Sequence, residues 1–159
     1  TFVRLFLFTN FENMPLPFSK SKVYFFFQQI KFTLTKRTAL KKHIELIFRK
    51  EGKTLKSINY IFCTDKALLK INRQFLSHDF YTDIITFDLS ESKKIQAEIY
   101  ISVDRVRDNA IHLGTSFKSE LHRVIFHGAL HLCGYKDKSK VEQAKMRVEE
   151  DFYLHSYSI

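Results

Sequence analysis

Two histidines, His127 and His131, stand four residues apart within the run LHRVIFHGALHL at residues 121–132. Side chains four apart on an α-helix lie one turn from each other on the same face. The two imidazoles can therefore close on one divalent ion, as the histidines of H-E-x-x-H zinc sites do. The run is apolar nearly all the way round, which predicts a buried helix. Burying two imidazoles without partners costs several kcal/mol, so they must be hydrogen-bonded, ion-paired or metal-bound. The plain alternative is a pair of core histidines bonded to backbone carbonyls. Two glycines and a carboxylate favour the metal. Gly128 sits inside the helix, where glycine costs about 1 kcal/mol relative to alanine, a cost that makes sense where something approaches the backbone closely. Gly134 ends the helix and lets the chain reverse, which brings Asp137 back toward the histidines. Two histidines and one carboxylate form a three-ligand catalytic set with one position left for water.

An absence narrows the chemistry. The H-E-x-x-H protease helix carries its general base where this chain has Gly128, so a peptidase built on this helix would lack its base. Asp83 and Glu98 are expected beside the cleft, in structural hydrogen bonds rather than as an assigned base. His112 and His122 read as surface or core histidines, and Cys133 as packing.

The elements that must hold these residues can be read around them. Residues 23–27 and 30–34 are β-branched and aromatic, and read as one long or broken strand. Residues 35–50 carry apolar side chains at helical spacing, with Gly52 placed to end the helix. Residues 57–63 read as a strand, and Thr64 or Asp65 can cap a helix over 66–75. Residues 83–88 and 95–102 are strands separated by a polar turn. Asp104 is expected to cap a helix over 105–113 that Gly114 stops, and Ser116 to cap the histidine helix. Ser139 and Glu142 form an S-x-x-E capping box opening the last helix, with Val141, Ala144, Val148 and Phe152 on its apolar face. Strands and helices are thus mixed, which predicts an α+β fold. It is one domain with a mixed, roughly four-stranded sheet packed by helices, and a metal site at the end of a buried central helix.

The 159-residue length suits one ordinary domain, and 45% hydrophobic content with two prolines excludes disorder and low-complexity scaffolds. A net charge of +9 favours an anionic partner such as nucleic acid. Cys63 and Cys133 lie too far apart for a paired-cysteine metal motif and are too few for a disulfide framework. No run of about 20 apolar residues exists, so no membrane span is expected, and no cleavage site follows the Phe-rich opening. The chain reads as cytoplasmic. Residues 1–13 are expected to form an N-terminal extension, disordered or upstream of a natural start at Met14, and 14–159 the single domain.

The run His127-Gly128-Ala129-Leu130-His131-Leu132-Cys133-Gly134-Tyr135 resembles the H-G-x-L-H-L-x-G-Y-D-H signature of the YbeY family, bacterial metal-dependent endoribonucleases of rRNA maturation. Upstream, Thr82-Asp83-Ile84-Ile85-Thr86-Phe87 resembles the family's T-D-V-L-S-F strand. Glu98-Ile99-Tyr100-Ile101-Ser102 resembles its G-D-I-x-I-S strand, and Ile71-Asn72-Arg73 its L-N-x segment. Order and spacing also match, across roughly residues 57–154.

The chain departs from the family twice. The signature ends in Asp-His, whose His is the third ligand, whereas this chain has Lys136 and Asp137. The expected ligands are therefore His127, His131 and Asp137, a carboxylate replacing an imidazole and admitting harder metals more readily. The family's substrate-facing Arg before the T-D strand falls on Leu76 here; Arg73 or His78 can substitute as substrate-binding residues.

The resemblance implies metal-dependent cleavage of single-stranded RNA, in 16S rRNA 3′-end maturation and ribosome quality control. It further implies one divalent ion, zinc first, with rRNA and ribosomal particles as partners, no small-molecule cofactor and no membrane. Arg73, Lys93, Lys94, Arg105 and Arg107 are candidate phosphate contacts, Lys36, Arg37, Lys41 and Lys42 form a basic stripe, and Phe80 and Tyr81 are candidate base-stacking residues. The alternative is a metal-stabilised RNA- or ribosome-binding factor with little catalysis. A third class, a metallohydrolase of small molecules or peptides, is opposed by the charge and by Gly128.

Overall fold

Alternation of apolar side chains along four short segments builds a mixed sheet, and the computed structural model describes it within residues 21–158. In chain order the elements are β1 (Val23–Phe27), α1 (Arg37–Lys50), β2 (Thr54–Cys63), α2 (Asp65–Ile71), β3 (Ile84–Asp88), β4 (Lys94–Ser102), α3 (Val103–His112), α4 (Phe117–Cys133) and α5 (Lys140–Ser158). One π-helical turn, Asn72–Leu76, extends α2. The sheet order is β1-β2-β4-β3, with β1, β2 and β4 parallel and β3 antiparallel to β4. The expected α+β, four-stranded mixed architecture is what the chain forms. The expectations for residues 1–13 and for Met14 lie outside the described residues.

Side chains alternate across a strand, so each face of the sheet gathers its own core. Val23, Ile58, Tyr60, Phe62, Ile99 and Ile101 meet α1 and α4 on one face, where the larger core sits. Ile61, Cys63, Tyr100 and Ile85 meet Leu68 and Ile71 of α2 on the other. Helix α4 lies in the middle, with Ile125, Phe126, Ala129 and Leu130 fully buried. Gly128 permits this seat. A Cβ there would come within 2.8 Å of Ile99 Cδ1 and 2.9 Å of Ile84 Cδ1. The close approach inferred for Gly128 is therefore that of the sheet against the helix.

Four local expectations are corrected. Residues 30–34 pair with no strand. Gln29 turns the chain at φ 53°, and Leu34 and Phe32 serve the core as packing instead. The α-helical part of the second helix ends at Ile71, after which the π-helical turn takes over. Asp104 does not cap α3; Ser102 does, accepting from the Arg105 N–H, while the Asp104 carboxylate accepts from the Asp65 N–H at 2.9 Å. Ser102 is the last residue of β4, two residues before Asp104, and so stands at the N-cap position facing the first free N–H groups, whereas Asp104 is already inside the first turn. Finally, Val141, Val148 and Phe152 face solvent, and α5 buries Met146, Glu150 and Tyr153 instead. The reason is polar: Glu150 is drawn inward by His127 and Arg123.

Candidate metal centre

The reversal after α4 is built from backbone and side-chain pieces together. Gly134 ends the helix in the left-handed region at φ 109°, which favours glycine. The next residue, Tyr135, donates its hydroxyl to Glu51 at 3.1 Å, and Tyr153 donates to the same carboxylate at 2.6 Å. These bonds tie the turn to the end of α1 and to α5. Gln143 then donates to the Asp137 carbonyl at 2.9 Å, and the predicted Ser139–Glu142 capping box is formed. The loop bearing Asp137 is thus held at both ends.

The consequence is a three-residue cluster. His127 Nε2 and His131 Nε2 lie 2.9 Å apart, and Asp137 Oδ2 lies 3.6 Å from the first and 3.4 Å from the second. His127 Nδ1 faces the Glu150 carboxylate at 2.6 Å and His131 Nδ1 faces the Tyr135 carbonyl at 2.9 Å. Both partners are acceptors only, so both Nδ1 atoms carry the proton. In the neutral rings both Nε2 atoms then present lone pairs to each other and to a carboxylate. Such a convergence repels unless a proton or a metal ion lies between them. Donors about 2.0–2.1 Å from a tetrahedral ion stand roughly 3.3–3.4 Å from one another. The carboxylate distances match this spacing, and small ring rotations bring the imidazole pair to it. The residues present fit a divalent ion.

Glu150 is the residue that sequence reasoning missed. Burial by itself would raise its pKa, but the bonds to His127 and Arg123 hold its carboxyl below the usual carboxylate range. Burial likewise favours a neutral His127, yet the bond and charge of Glu150, backed by Asp137 and Asp83, outweigh it and raise the imidazole pKa. Arg123 secures the arrangement, reaching Glu150 Oε2 at 3.1 Å and Asp151 at 2.9 Å. A carboxylate that orients a ligating histidine from behind is the usual outer partner of such sites. The available signal was the four-residue step from Met146 to Glu150, which puts Glu150 on one face with the buried Met146 and Tyr153.

The cluster opens into a cleft of about 770 Å³ lined also by Asp83, His78, Phe80 and Leu76. The ring of His78 stacks on Phe80 at 5.1 Å between centroids, and buried Asn72 pins this loop by donating to the Phe80 carbonyl at 2.9 Å. Asp83 borders the cleft, its Oδ2 accepting from Asn109 at 3.1 Å. Arg73 turns to Asp79 in an exposed ion pair. Glu98 accepts from the Tyr100 hydroxyl at 2.9 Å; it lies next to Ile99, which meets α4, so it points to the opposite face of the sheet. Tyr81 carries the Arg105 guanidinium at 5.1 Å over its ring, and Arg105 is further paired with Asp65. His112 is exposed on α3, whereas His122 is buried against Phe126 and Tyr157. Burial pushes the Cys133 thiol up to about 12, so it stays protonated and packs.

Comparison with known proteins agrees with this geometry. Residues 25–158 match the family model described as "Endoribonuclease YbeY". An "Endoribonuclease YbeY" of Cytophaga hutchinsonii is 49% identical over 133 residues, covering 83% of this chain and 93% of the relative. That of Porphyromonas gingivalis is 44% identical over 131 residues, covering 82% and 87%. A solution structure from Thermotoga maritima aligns with a TM-score of 0.58 at 29% identity, covering 85% of this chain and 88% of its own. The match runs from within β1 to the end of α5, including the histidine helix and the turn behind it, and the chain belongs to the endoribonuclease YbeY family.

Proposed function

We propose that this protein is a metal-dependent endoribonuclease cutting single-stranded RNA in the cytoplasm. Its role is in 16S rRNA 3′-end maturation and ribosome quality control, on rRNA and ribosomal particles. The observation that carries this reading is the convergence of three unshared donor atoms, from His127, His131 and Asp137, on one open cleft. These residues would hold the ion, with zinc as the first expectation. When bound, it supplies Lewis-acid polarisation of a phosphoryl oxygen and a water whose pKa falls toward about 7.

The remaining roles belong to the chain's own side chains. Glu150 fixes the His127 tautomer and keeps its Nε2 aimed at the cleft. Asp83 is the carboxylate bordering that cleft and the candidate to take a proton from the attacking water. His78 and Phe80, exposed at the rim, offer a surface on which an unpaired base can stack, a contact worth about 1–3 kcal/mol per base. Such stacking favours single strands, because a duplex hides its base faces.

The test is cleavage of end-labelled single-stranded RNA by the zinc-loaded protein. The expected result is discrete cutting that disappears in His127→Ala and after chelation. Cutting by His127→Ala at the wild-type rate would sink the proposal. The second reading, a metal-stabilised RNA- or ribosome-binding factor, is favoured by Leu76 lining the cleft where the family's Arg is expected. It predicts that chelation lowers the melting temperature while RNA affinity persists and no strand is cut.

A further inference from the structure

We propose that a second pocket, between the C-terminal end of α1 and the start of β2, anchors the phosphodiester backbone of the RNA away from the metal centre. This rests on the RNA-cleaving reading above and names a further binding site for the same substrate.

The pocket has a volume of about 660 Å³ and is lined by Lys22, Lys42, Arg49 and Lys53, with Glu45 on its wall and Phe48 at its base. All four cations are exposed and none forms an ion pair with a described residue. The arginines near the metal cleft are, by contrast, engaged. Arg73, Arg105, Arg107 and Arg123 are paired with carboxylates, and Arg37, Lys41 and Lys50 lie over aromatic rings. Glu45, held by the Ser21 hydroxyl at 2.7 Å and the Lys22 backbone N–H at 2.9 Å, offsets one of the four charges and leaves the pocket net positive. Four cations around one concavity, with one carboxylate and no ion pair among the described residues, repel each other, and an anion carrying several charges relieves that. The phosphates of a polynucleotide are such an anion.

The position gives the pocket its consequence. Lys22 precedes β1, and Thr54 of β2 pairs with Lys94 at the start of β4. The metal cluster lies beside β3, on the far side of β4 from β1 and β2. With strands about 4.8 Å apart, two to three strand spacings, roughly 10–14 Å, separate the two sites across the sheet. A stacked strand rises about 3.4 Å per nucleotide, so about five nucleotides or more are needed to touch both. A tetranucleotide therefore engages one site at a time and long RNAs engage both.

The experiment titrates the full chain with fluorescein-labelled single-stranded RNAs of four and 24 nucleotides, by anisotropy, in EDTA and over a range of salt. Lys42→Gln/Lys53→Gln is compared with wild type and with Lys66→Gln/Lys70→Gln, which removes the same charge from exposed positions on α2. Pyrophosphate is added as competitor in a further arm. Each lost phosphate contact lowers the salt slope by about 0.7. The pocket variant should thus show a slope reduced by about 1.4 and roughly tenfold weaker binding of the 24-mer, with a clearly smaller loss for the tetranucleotide. Equal weakening by the α2 variant, or equal weakening for the tetranucleotide, would overturn the proposal as a general charge effect. Pyrophosphate binding lost in the pocket variant without any change for the 24-mer would assign a small-anion site and overturn it too. If Lys42→Gln/Lys53→Gln melts below wild type, Arg49→Gln is read in its place. Since binding is read rather than cleavage, a failure here leaves the cleavage reading standing. Strong pocket-dependent binding by a protein that cuts no RNA would refute that reading alone.

Discussion

Glu150→Gln removes a charge while keeping shape, and it probes the support of His127 directly. In the wild type, Glu150 Oε1 accepts from His127 Nδ1 at 2.6 Å and Oε2 from Arg123 at 3.1 Å. Gln keeps one carbonyl acceptor, so the ring can stay in place, but the negative charge behind it is gone. Loss of such an outer partner typically weakens metal affinity by about 10–100-fold, equivalent to roughly 1.4–2.7 kcal/mol. The folded state suffers less, because Arg123 keeps Asp151 at 2.9 Å. Competition against a chromophoric zinc chelator reads the affinity, and a thermal melt of the metal-free protein reads the fold. The expected result is weakened zinc binding with a small change in melting temperature. A Glu150→Gln protein that holds zinc as tightly as wild type would refute the role given to this carboxylate. So would one that loses zinc only because it no longer folds, if Arg123→Lys, which keeps the cation, loses zinc equally.

Further expectations concern the third ligand, the sheet contact and pH. Asp137→Ala should reduce bound zinc below one equivalent after dialysis against a weak chelator, read by elemental analysis; unchanged stoichiometry and affinity would remove Asp137 from the site. Gly128→Ala gains about 1 kcal/mol of helix propensity but drives a Cβ against Ile99 and Ile84. Overpacking typically costs about 1–3 kcal/mol, so urea denaturation should show a net loss near 1 kcal/mol, and a stabilised variant would contradict the packing account. Burial chiefly, with Lys118 and His43 nearby, lowers the His122 pKa from 6.5 to about 4. Below pH 6.5 the unfolded chain therefore takes up the proton first, and stability falls as pH drops toward 4. The full shift corresponds to about 3 kcal/mol, and partial screening leaves on the order of 2 kcal/mol. His122→Phe should flatten the fall in metal-free protein between pH 6.5 and 4, and an unaltered pH slope would exclude His122 as its source.

The histidine helix was legible because its information is local. A four-residue repeat of His127 and His131, a capping serine at Ser116 and the stop at Gly134 all act within one element, and spacing alone puts both rings on one face. The strands were legible for the same reason, since alternation marks a half-buried strand wherever it pairs. Residues 30–34 show the limit. They have strand composition, but pairing is a long-range property, and Gln29 turns them off the sheet edge.

What tertiary structure decided is everything that depends on two distant elements meeting. The sequence could bring Asp137 back through Gly134, yet the turn is held by Glu51, 84 residues before Tyr135. Local pattern assigned the α5 valines and Phe152 to the core. The packed chain exposes them, because burying Glu150 against His127 and Arg123 satisfies charges that α4 has already placed inside. Propensity and periodicity are read along one helix, whereas the partner of a buried charge is chosen across two. For this protein, the spacing of His127 and His131 was written in the chain, and the side chains that converge on them were settled by the fold.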